Sequence, residues 1–447
     1  MKLIYNVSDK PKFAQTIVFA IQQLLAIMAA TLVVPVIINS SVEGAQMSPA
    51  AALCGAGVGT LVYVLFTKAK SPVFLGSSFA FIGSMCAAFA GGISVGYLGM
   101  VLGAVFAGLV YVVIAIVVKL VGVKWVSKLM PPVVIGPTVA IIGLSLSGNA
   151  IGDLKTASAG GSPYLAVICG LVTLFVTMLC SSYGKKMAKL IPFIIGIIAG
   201  YAVASVFTLI GMKTGNEALM IIDYGALTNC FKDISLASFV SVPDFTFVKA
   251  FKGFSEFSMS DLSTVAVAYI PVAFVVFAEH IADHKNLSSI IEADLLEEPG
   301  LHRTLLGDGV GSMAGAFFGG CPNTTYGESV GCVAITKNAS VYTIITAAVM
   351  AILISFLTPF VAFVNTIPSC VMGGVCVALY GFIAVSGLKM IKDIDLDKNK
   401  NLFVVSVILI AGIGGFTLTF GKVTLTEVAC ALILGIITNL ALSKSKE

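Results

Sequence analysis

The chain has 447 residues, of which 58% are hydrophobic and only 11% are charged, and its formal net charge is +4. This composition lies far outside the range of soluble globular domains and indicates an integral membrane protein. Because the lysines gather at the ends of apolar segments rather than on one basic face, nucleic-acid binding has no support.

Apolar segments recur along nearly the whole chain, and several reach the ~20 residues that a membrane-spanning helix needs. They favour helical spans over the alternating strands of a β-barrel. No cleavable signal peptide is expected, because the apolar run from Phe13 to Ile38 is too long. The pattern predicts fourteen spans, two of which need not cross fully, at 14–38, 49–67, 73–90, 95–119, 131–148, 163–181, 190–211, 263–284, 304–319, 326–337, 341–364, 369–390, 401–418 and 423–442.

Most of the basic residues fall in every second loop between the predicted spans, which places them on one side of the membrane. The short loops on the other side contain only Lys155 and Lys422 as basic residues. Because short cytoplasmic loops are enriched in Lys and Arg, we predict a multi-pass protein of the cytoplasmic membrane with both termini in the cytoplasm.

A long loop at 212–260, predicted to be extracellular, divides the chain into two halves of seven spans, 1–211 and 261–447. An odd number of spans gives the halves opposite orientations. Traces of a repeat agree, because MPPVVIGPTVAIIGLSLSG (130–148) resembles IPSCVMGGVCVALYGFIAVSG (367–387). We therefore predict an all-α polytopic fold of two inverted seven-segment repeats.

The third span of each half is interrupted by small and polar residues, in FLGSSFAFIG (74–83) and in TYGESVGCVA (325–334). Non-helical backbone at membrane depth survives only where protein or a cavity satisfies its polar groups. Paired interrupted segments therefore indicate a substrate site near the bilayer midplane, with half-helix N-termini aimed at it.

Two carboxylates lie within apolar segments, Glu279 in VAFVVFAEHIADH (272–284) and Glu328 in PNTTYGESVGCVAIT (322–336). A charge at the bilayer centre costs roughly 2.5–3.5 kcal/mol, so it normally faces a cavity or a pathway. Neutralising a glutamate at pH 7 costs about 3.7 kcal/mol. The cost of burying the charge and the cost of neutralising it are similar. A proton or a ligand with N–H donors can therefore shift such a carboxyl group between its charged and neutral states, as a proton-coupled carrier requires.

Glu328 follows Gly327 at the start of the second half-helix, where backbone amides and the positive end of the helix dipole can meet a ligand. A small planar molecule with alternating N–H and C=O groups fits this arrangement. The alternative is a glutamate that stabilises only its own helix.

Asp283 lies four residues after Glu279 on the same helix face, and His280 and His284 share the adjacent face. Two like charges at this spacing favour the uptake of a proton, so proton coupling is predicted for Glu279 and Asp283, and His284 is predicted as a further member of the proton relay. If the span begins early, near Ser263, Asp283 and His284 instead lie at its cytoplasmic end and are simply solvated.

The ten cysteines form no CxxC pair, and most lie inside apolar runs, where cysteine is a small packing residue. We predict no disulfide framework, no metal site and no cofactor. No arrangement of nucleophile and base supports an enzyme.

GGCPNTTYGESVGCVAITK (319–337) resembles the signature segment of the nucleobase-ascorbate transporter family. AEHIADH (278–284), PGLHR (299–303), LGSSFAFI (75–82) and IQQLLAIMAATLVVP (21–35) are likewise similar to its bacterial uracil permeases, so the resemblance covers nearly the whole chain. It implies fourteen segments in two inverted repeats, with short strands in segments 3 and 10, and a homodimer.

The resemblance also implies a core domain, about 13–119 and 261–365, that holds the site, and a gate domain, about 131–211 and 368–442. Carried over to this sequence, six residues form the substrate site, namely Glu279, Glu328, Gly327, Phe79, Tyr326 and Ser78. The two glutamates would bind ring nitrogens, the backbone at Phe79 and Gly327 would meet carbonyl oxygens, and Tyr326 would flank the ligand.

Three positions depart from the family pattern. Asp283 stands where a histidine is usual, Gln22-Gln23 replaces a Gln-His pair, and Ser329 replaces an asparagine. Some purine and ascorbate members of the family have glutamine at the position of Glu328. The glutamate here resembles the uracil-type members more closely.

The sequence therefore predicts a proton-coupled importer of uracil that works by alternating access in the lipid bilayer. The alternative within the family is a permease for xanthine or another purine. From another class, an anion carrier of the sulfate type shares this repeat architecture, although an anion should avoid two acids. A channel is disfavoured, because a broken-helix site with paired acids suits stoichiometric binding.

Overall fold

The computed structural model describes residues 3–122, 125, 131–185, 187–420 and 423–444. The described chain is mostly helical, and eight of its helices are long and apolar enough to cross a membrane. The prediction of a multi-pass membrane protein is thereby confirmed. Lys422, one of the two basic residues in the loops predicted to be external, lies outside the described residues.

The helices of the first half begin with two long apolar segments and continue through a short interrupted one. In chain order they are α1 (Phe13–Ser41), α2 (Pro49–Phe66), α3 (Ile82–Ala88), α4 (Ile93–Val121), α5 (Pro132–Ser145), α6 (Ser147–Leu154), α7 (Pro163–Tyr183), α8 (Met187–Leu190) and α9 (Pro192–Thr214). Strand β1 (Leu75–Ser77) lies between α2 and α3, and single 3₁₀ turns at Phe79–Phe81 and Phe89–Gly91 extend α3 at both ends.

The long loop between the halves contains α10 (Gly225–Lys232) and α11 (Thr246–Gly253). The helices of the second half are α12 (Met259–Ile291), α13 (Leu301–Gly319), α14 (Gly327–Thr336), α15 (Val341–Ser355), α16 (Thr358–Asn365), α17 (Ser369–Met390), α18 (Asn399–Ile413) and α19 (Glu427–Ala441). Strand β2 (Asn323–Thr325) precedes α14, and a hairpin of β3 (Leu418–Phe420) and β4 (Val423–Leu425) precedes α19.

Helices occupy all fourteen predicted segments, and the short strands expected in segments 3 and 10 are present as β1 and β2. The number of membrane crossings and the inverted relation of the halves stay predictions. The helices of segments 3 and 10 are short because the residues before each of them, which include Gly, Ser and Thr, form an extended strand instead of a helix.

Helix α12 has 33 residues, about 50 Å at 1.5 Å per residue, and is therefore longer than a bilayer core is thick. It begins at a capping box in which Ser258 and Asp261 exchange side-chain and backbone hydrogen bonds. The early start near Ser263 is thus correct, but the expected solvation of His284 is wrong. The helix continues to Ile291, and His284 is fully buried against neighbouring helices.

Glycine residues let two helices pack closely, and this packing holds strand β2 in place. A β carbon on Gly55 of α2 would overlap the backbone of Gly315 in α13, so only glycine permits this approach. The side chain of Asn323 in β2 lies against the same Gly315 and donates from Nδ2 to the carbonyl oxygen of Gly55 at 3.1 Å. The α2 and α13 pair therefore forms the platform on which β2 is held.

The helices pack in two sets. In the first, α13 packs against α2 and α4, and α12 packs against α4 and α3. In the second, α17 packs against α5, α6 and α7, and α18 packs against α5 and α19. The two interrupted segments belong to the first set.

Candidate substrate site

The two halves of the chain meet where β1 and β2 pair antiparallel. The paired residues are Leu75 with Thr325, Gly76 with Thr324, and Ser77 with Asn323. The amide of Ser78 extends the ladder by donating to the carbonyl oxygen of Pro322 at 2.9 Å. Because each strand leads directly into its half-helix, this crossing brings the helix starts at Phe79 and Gly327 into one region of the protein.

Tyr326 locks the crossing in place. Its hydroxyl donates to the carbonyl oxygen of Ser77 at 2.6 Å, and its ring lies on Gly76, where a β carbon would overlap the ring atoms. The side chain is only 4% exposed. Tyr326 therefore links β2 to β1 across the chain halves, in the place where the sequence predicted a residue beside the ligand.

Three carboxylates of the second half of the chain lie close together. Glu279 interacts electrostatically with both Asp283 and Glu328, and all three are half-buried. Oδ2 of Asp283 also accepts a hydrogen bond from Oγ1 of Thr325 in β2 at 2.9 Å. The acids of α12 thus face the crossing and the start of α14, which is the arrangement that a ligand held by both Glu279 and Glu328 requires.

The backbone at the two half-helix starts is differently accessible. Gly327 is exposed, whereas Phe79 is buried and its ring makes an edge contact with Tyr380 of α17, with 6.0 Å between ring centroids. Ser78 is buried, and its hydroxyl has no hydrogen-bond partner among the described residues. All six residues predicted to form the substrate site therefore lie at or beside the crossing, and their roles in binding stay predictions.

A buried polar pair next to this site was not identified from the sequence. Nδ1 of His280 lies 2.7 Å from Oδ2 of Asp308 in α13, and both side chains are at most 1% exposed. Nε2 of His280 forms a further hydrogen bond with the hydroxyl of Thr304 at 3.0 Å. Asp308 stands in a glycine-rich apolar segment, and its charge at membrane depth is the signal that could have revealed it.

His284 forms a second buried unit. Its Nδ1 donates to the carbonyl oxygen of His280 at 2.8 Å, because a carbonyl oxygen can only accept. Its Nε2 lies within hydrogen-bond distance of the hydroxyl of Tyr63, 2.7 Å away. The two histidine rings stack with 4.0 Å between centroids. Both ring nitrogens of His284 are thus engaged away from Asp283, and its predicted part in proton coupling stays a prediction.

Gln23 and Ser329, two of the residues that differ from the family pattern, contact each other. Nε2 of Gln23 in α1 donates to the hydroxyl oxygen of Ser329 at 2.5 Å. The same oxygen accepts from the amide of Phe74, just before β1, at 2.9 Å. A short serine beside the longer Gln23 therefore ties α1, the β1 segment and the start of α14 together one residue after Glu328.

Replacing Asp308 by leucine is expected to destabilise the folded protein by about 2–4 kcal/mol, because His280 then loses a buried hydrogen-bond partner. Thermal unfolding in detergent measures the effect. Asp308→Asn retains an acceptor oxygen and should cost less. The double variant His280→Phe with Asp308→Leu should regain part of the loss, and equal melting temperatures for wild type and Asp308→Leu would show that the pair is not structural.

The overall fold is shared with solved anion transporters. The transmembrane domain of a cyanobacterial bicarbonate transporter, BicA, superposes with a TM-score of 0.63 at 13% identity, covering 97% of this chain and all of that domain. Murine Slc26a9, an anion transporter solved in an inward-facing state, gives a TM-score of 0.61 at 11% identity, covering 98% of this chain and 69% of that protein. At such low identity the likeness concerns the fold alone.

The sequence relatives are of another kind. A uracil permease of Bacillus caldolyticus is 37% identical over 444 residues, covering 99% of this chain and 95% of that protein. Uracil permeases of Bacillus subtilis and Escherichia coli K12 are 37% and 35% identical over 454 and 435 residues, and each covers at least 92% of both chains. The family model described as the Permease family matches residues 14–420. The chain therefore belongs to this family of membrane transporters, together with the bacterial uracil permeases.

Proposed function

We propose that this permease imports uracil together with protons across the cytoplasmic membrane. Two observations support the proposal. Strands β1 and β2 pair at the starts of both half-helices, and beside them Glu279 of α12 interacts electrostatically with Glu328 of α14. The names of the relatives support uracil as the substrate.

The chemistry of the site matches the edge of a pyrimidine ring. Uracil carries ring N–H donors that alternate with carbonyl oxygens, and a carboxylate accepts from N–H while a free amide donates to C=O. In the proposed complex Glu279 and Glu328 accept from the ring nitrogens. The backbone at Phe79 and at the exposed Gly327 meets the carbonyl oxygens. The unpartnered hydroxyl of Ser78 is a further polar group within the crossing.

Proton coupling follows from the crowding of acids. Glu279, Asp283 and Glu328 would carry three negative charges in one half-buried site, and a proton on one of them relieves their repulsion. In this proposal Glu279 takes up the proton when uracil binds, and Asp283, held by Thr325, shares it.

Alternating access would arise from movement between the two helix sets. The proposed core domain, 13–119 and 261–365, contains the β1 and β2 crossing, and the proposed gate domain, 131–211 and 368–442, contains α17. The packing of α13 with α2 and α4, and of α17 with α5 and α7, supports this division. Phe79 and Tyr380 meet across the boundary. The cytoplasmic position of both termini and a homodimer belong to the same proposal.

Uptake of radiolabelled uracil into membrane vesicles, compared with xanthine, tests the substrate. We expect saturable uptake of labelled uracil. Excess unlabelled uracil should abolish this uptake, and excess xanthine should not. Preferential uptake of xanthine would instead identify a purine permease. The fold shared with anion transporters does not favour an anion, because an anion would meet the acids of this site.

Accumulation of uracil is expected to rise with an imposed gradient that is acidic outside and to collapse when a protonophore removes the gradient. Asp283→Asn should reduce gradient-driven accumulation more than it reduces exchange of labelled for unlabelled uracil, because exchange needs no net proton movement. The same vesicles report both quantities. Proton coupling would be wrong if sodium removal abolished accumulation and the protonophore had no effect.

A further inference from the structure

A cavity of mixed polar and apolar lining, separate from the crossing, opens between the two helix sets. Its volume is about 540 Å³. Helix ends of both sets line it, with Ser41 at the end of α1, Cys86 in α3, Asn149 and Asp153 in α6, and Glu427 at the start of α19. In the proposed orientation this is the extracellular end of the site.

A second, smaller cavity of about 10 Å³ lies beside this space. It is lined by Phe79, whose backbone is proposed to meet the ligand, and also by Thr426. The two cavities share the lining residues Ile82, Gly83, Ser145, Leu146 and Glu427. The two cavities therefore adjoin each other, and the smaller one reaches the first half-helix at Phe79.

Glu427 is the acid common to both cavities. Its Oε1 lies beside α3, at 3.8 Å from where a β carbon on Gly83 would stand, so the carboxylate of a second-set helix reaches the first set. No hydrogen bond or ion pair engages this carboxylate within the described part of the chain. The capping of α19 is performed instead by Thr426, whose hydroxyl accepts from the amide of Ala429 at 3.4 Å.

The two helix sets are joined only weakly by the polar side chains of this lining. Nδ2 of Asn149 donates to the hydroxyl oxygen of Ser41 at 3.3 Å, which is a single long hydrogen bond between exposed side chains. Such a contact can break without a large cost when the two sets separate. Asp153 lines only the wider cavity, whereas Glu427 lines both.

We propose that this cavity is an external first site for the nucleobase, in which the Glu427 carboxylate accepts a hydrogen bond from a ring N–H before the ligand passes Phe79. A neutral heterocycle with N–H donors suits a half-buried carboxylate, whereas an anion would be repelled. The inference rests on the proposed function for the identity of the ligand.

Cys86 lines the wider cavity and reports its occupancy. In a Cys230→Ser background, which removes the half-buried cysteine of the loop predicted to be external, a membrane-impermeant thiol reagent should modify Cys86 in right-side-out vesicles. Added uracil should slow this modification. The protection should persist in Glu328→Gln, which impairs the central site, and should be lost in Glu427→Gln.

Transport kinetics provide the second measurement. Glu427→Gln is expected to raise the half-saturating uracil concentration about 3- to 10-fold, as for loss of one partly exposed charged hydrogen bond. Glu297→Gln, at an exposed glutamate that lines neither cavity, should change it less than twofold. If Glu427→Gln does not insert into the membrane, Cys86 protection in the Glu328→Gln protein still tests the proposal.

Two results would overturn the external site. One is equal modification of Cys86 with and without uracil, and the other is protection that disappears in Glu328→Gln, which would mean that uracil acts on Cys86 only from the central site. These results differ from a failure of the proposed function, in which vesicles with the wild-type protein would take up no uracil at all.

Discussion

Glu328→Gln is expected to lower uracil uptake by about 10- to 100-fold, because a charged hydrogen bond to a ring N–H contributes about 1.5–3 kcal/mol. The amide keeps the size of the side chain but presents an N–H group to the N–H of the ligand in one of its two orientations. Initial rates of labelled uracil uptake, normalised to the amount of protein in the membrane, measure the change. Glu279→Gln should show a loss of similar size.

Glu297→Gln is the matched control, since Glu297 is an exposed glutamate outside the crossing. It should transport uracil like the wild type. Full uracil uptake by Glu328→Gln, with normal expression, would exclude that residue as a ligand and would leave it the role of stabilising the start of α14.

Gly76→Val is expected to abolish transport and to lower thermal stability, because a branched side chain cannot fit beneath the ring of Tyr326. Tyr326 would have to move away and would lose its 2.6 Å hydrogen bond to Ser77. Overpacking of a close-packed site typically costs about 1–3 kcal/mol, and the displaced ring disturbs the strand pairing as well. Uptake and the unfolding temperature in detergent are the measurements.

Gly331→Ala provides the comparison within the same segment. A β carbon on Gly331 of α14 would meet open space, so the alanine should preserve uptake and slightly stabilise the helix. If Gly76→Val transported uracil as well as Gly331→Ala does, the contact between β1 and Tyr326 would not be needed to hold the site.

Much of the candidate site could be predicted from local patterns. Apolar runs of sufficient length identified the helices, and the interruptions at Gly76 and Pro322 identified the two segments that cross. Glu279 and Glu328 were recognisable because a charge inside an apolar segment is costly wherever the segment packs. Asp308 satisfies the same criterion, so this buried acid too is predictable from the sequence.

Other features could not be obtained in this way. The hydrogen bond between Gln23 and Ser329 joins residues 306 positions apart in the chain, and no local pattern indicates that they meet. The burial of His284 depends on Tyr63 from another helix. The cavity beside Glu427 exists only because α3, α6 and α19 converge there.

The amino-acid sequence by itself determined that the chain is a membrane protein of apolar helices with two broken segments and isolated acids, because hydropathy and backbone interruption act over neighbouring residues. Only the tertiary structure decided which polar groups face each other. Hydrogen bonds and electrostatic contacts act over a few ångströms, so the partners of Glu279, His280 and Asp283 depend on how distant helices pack.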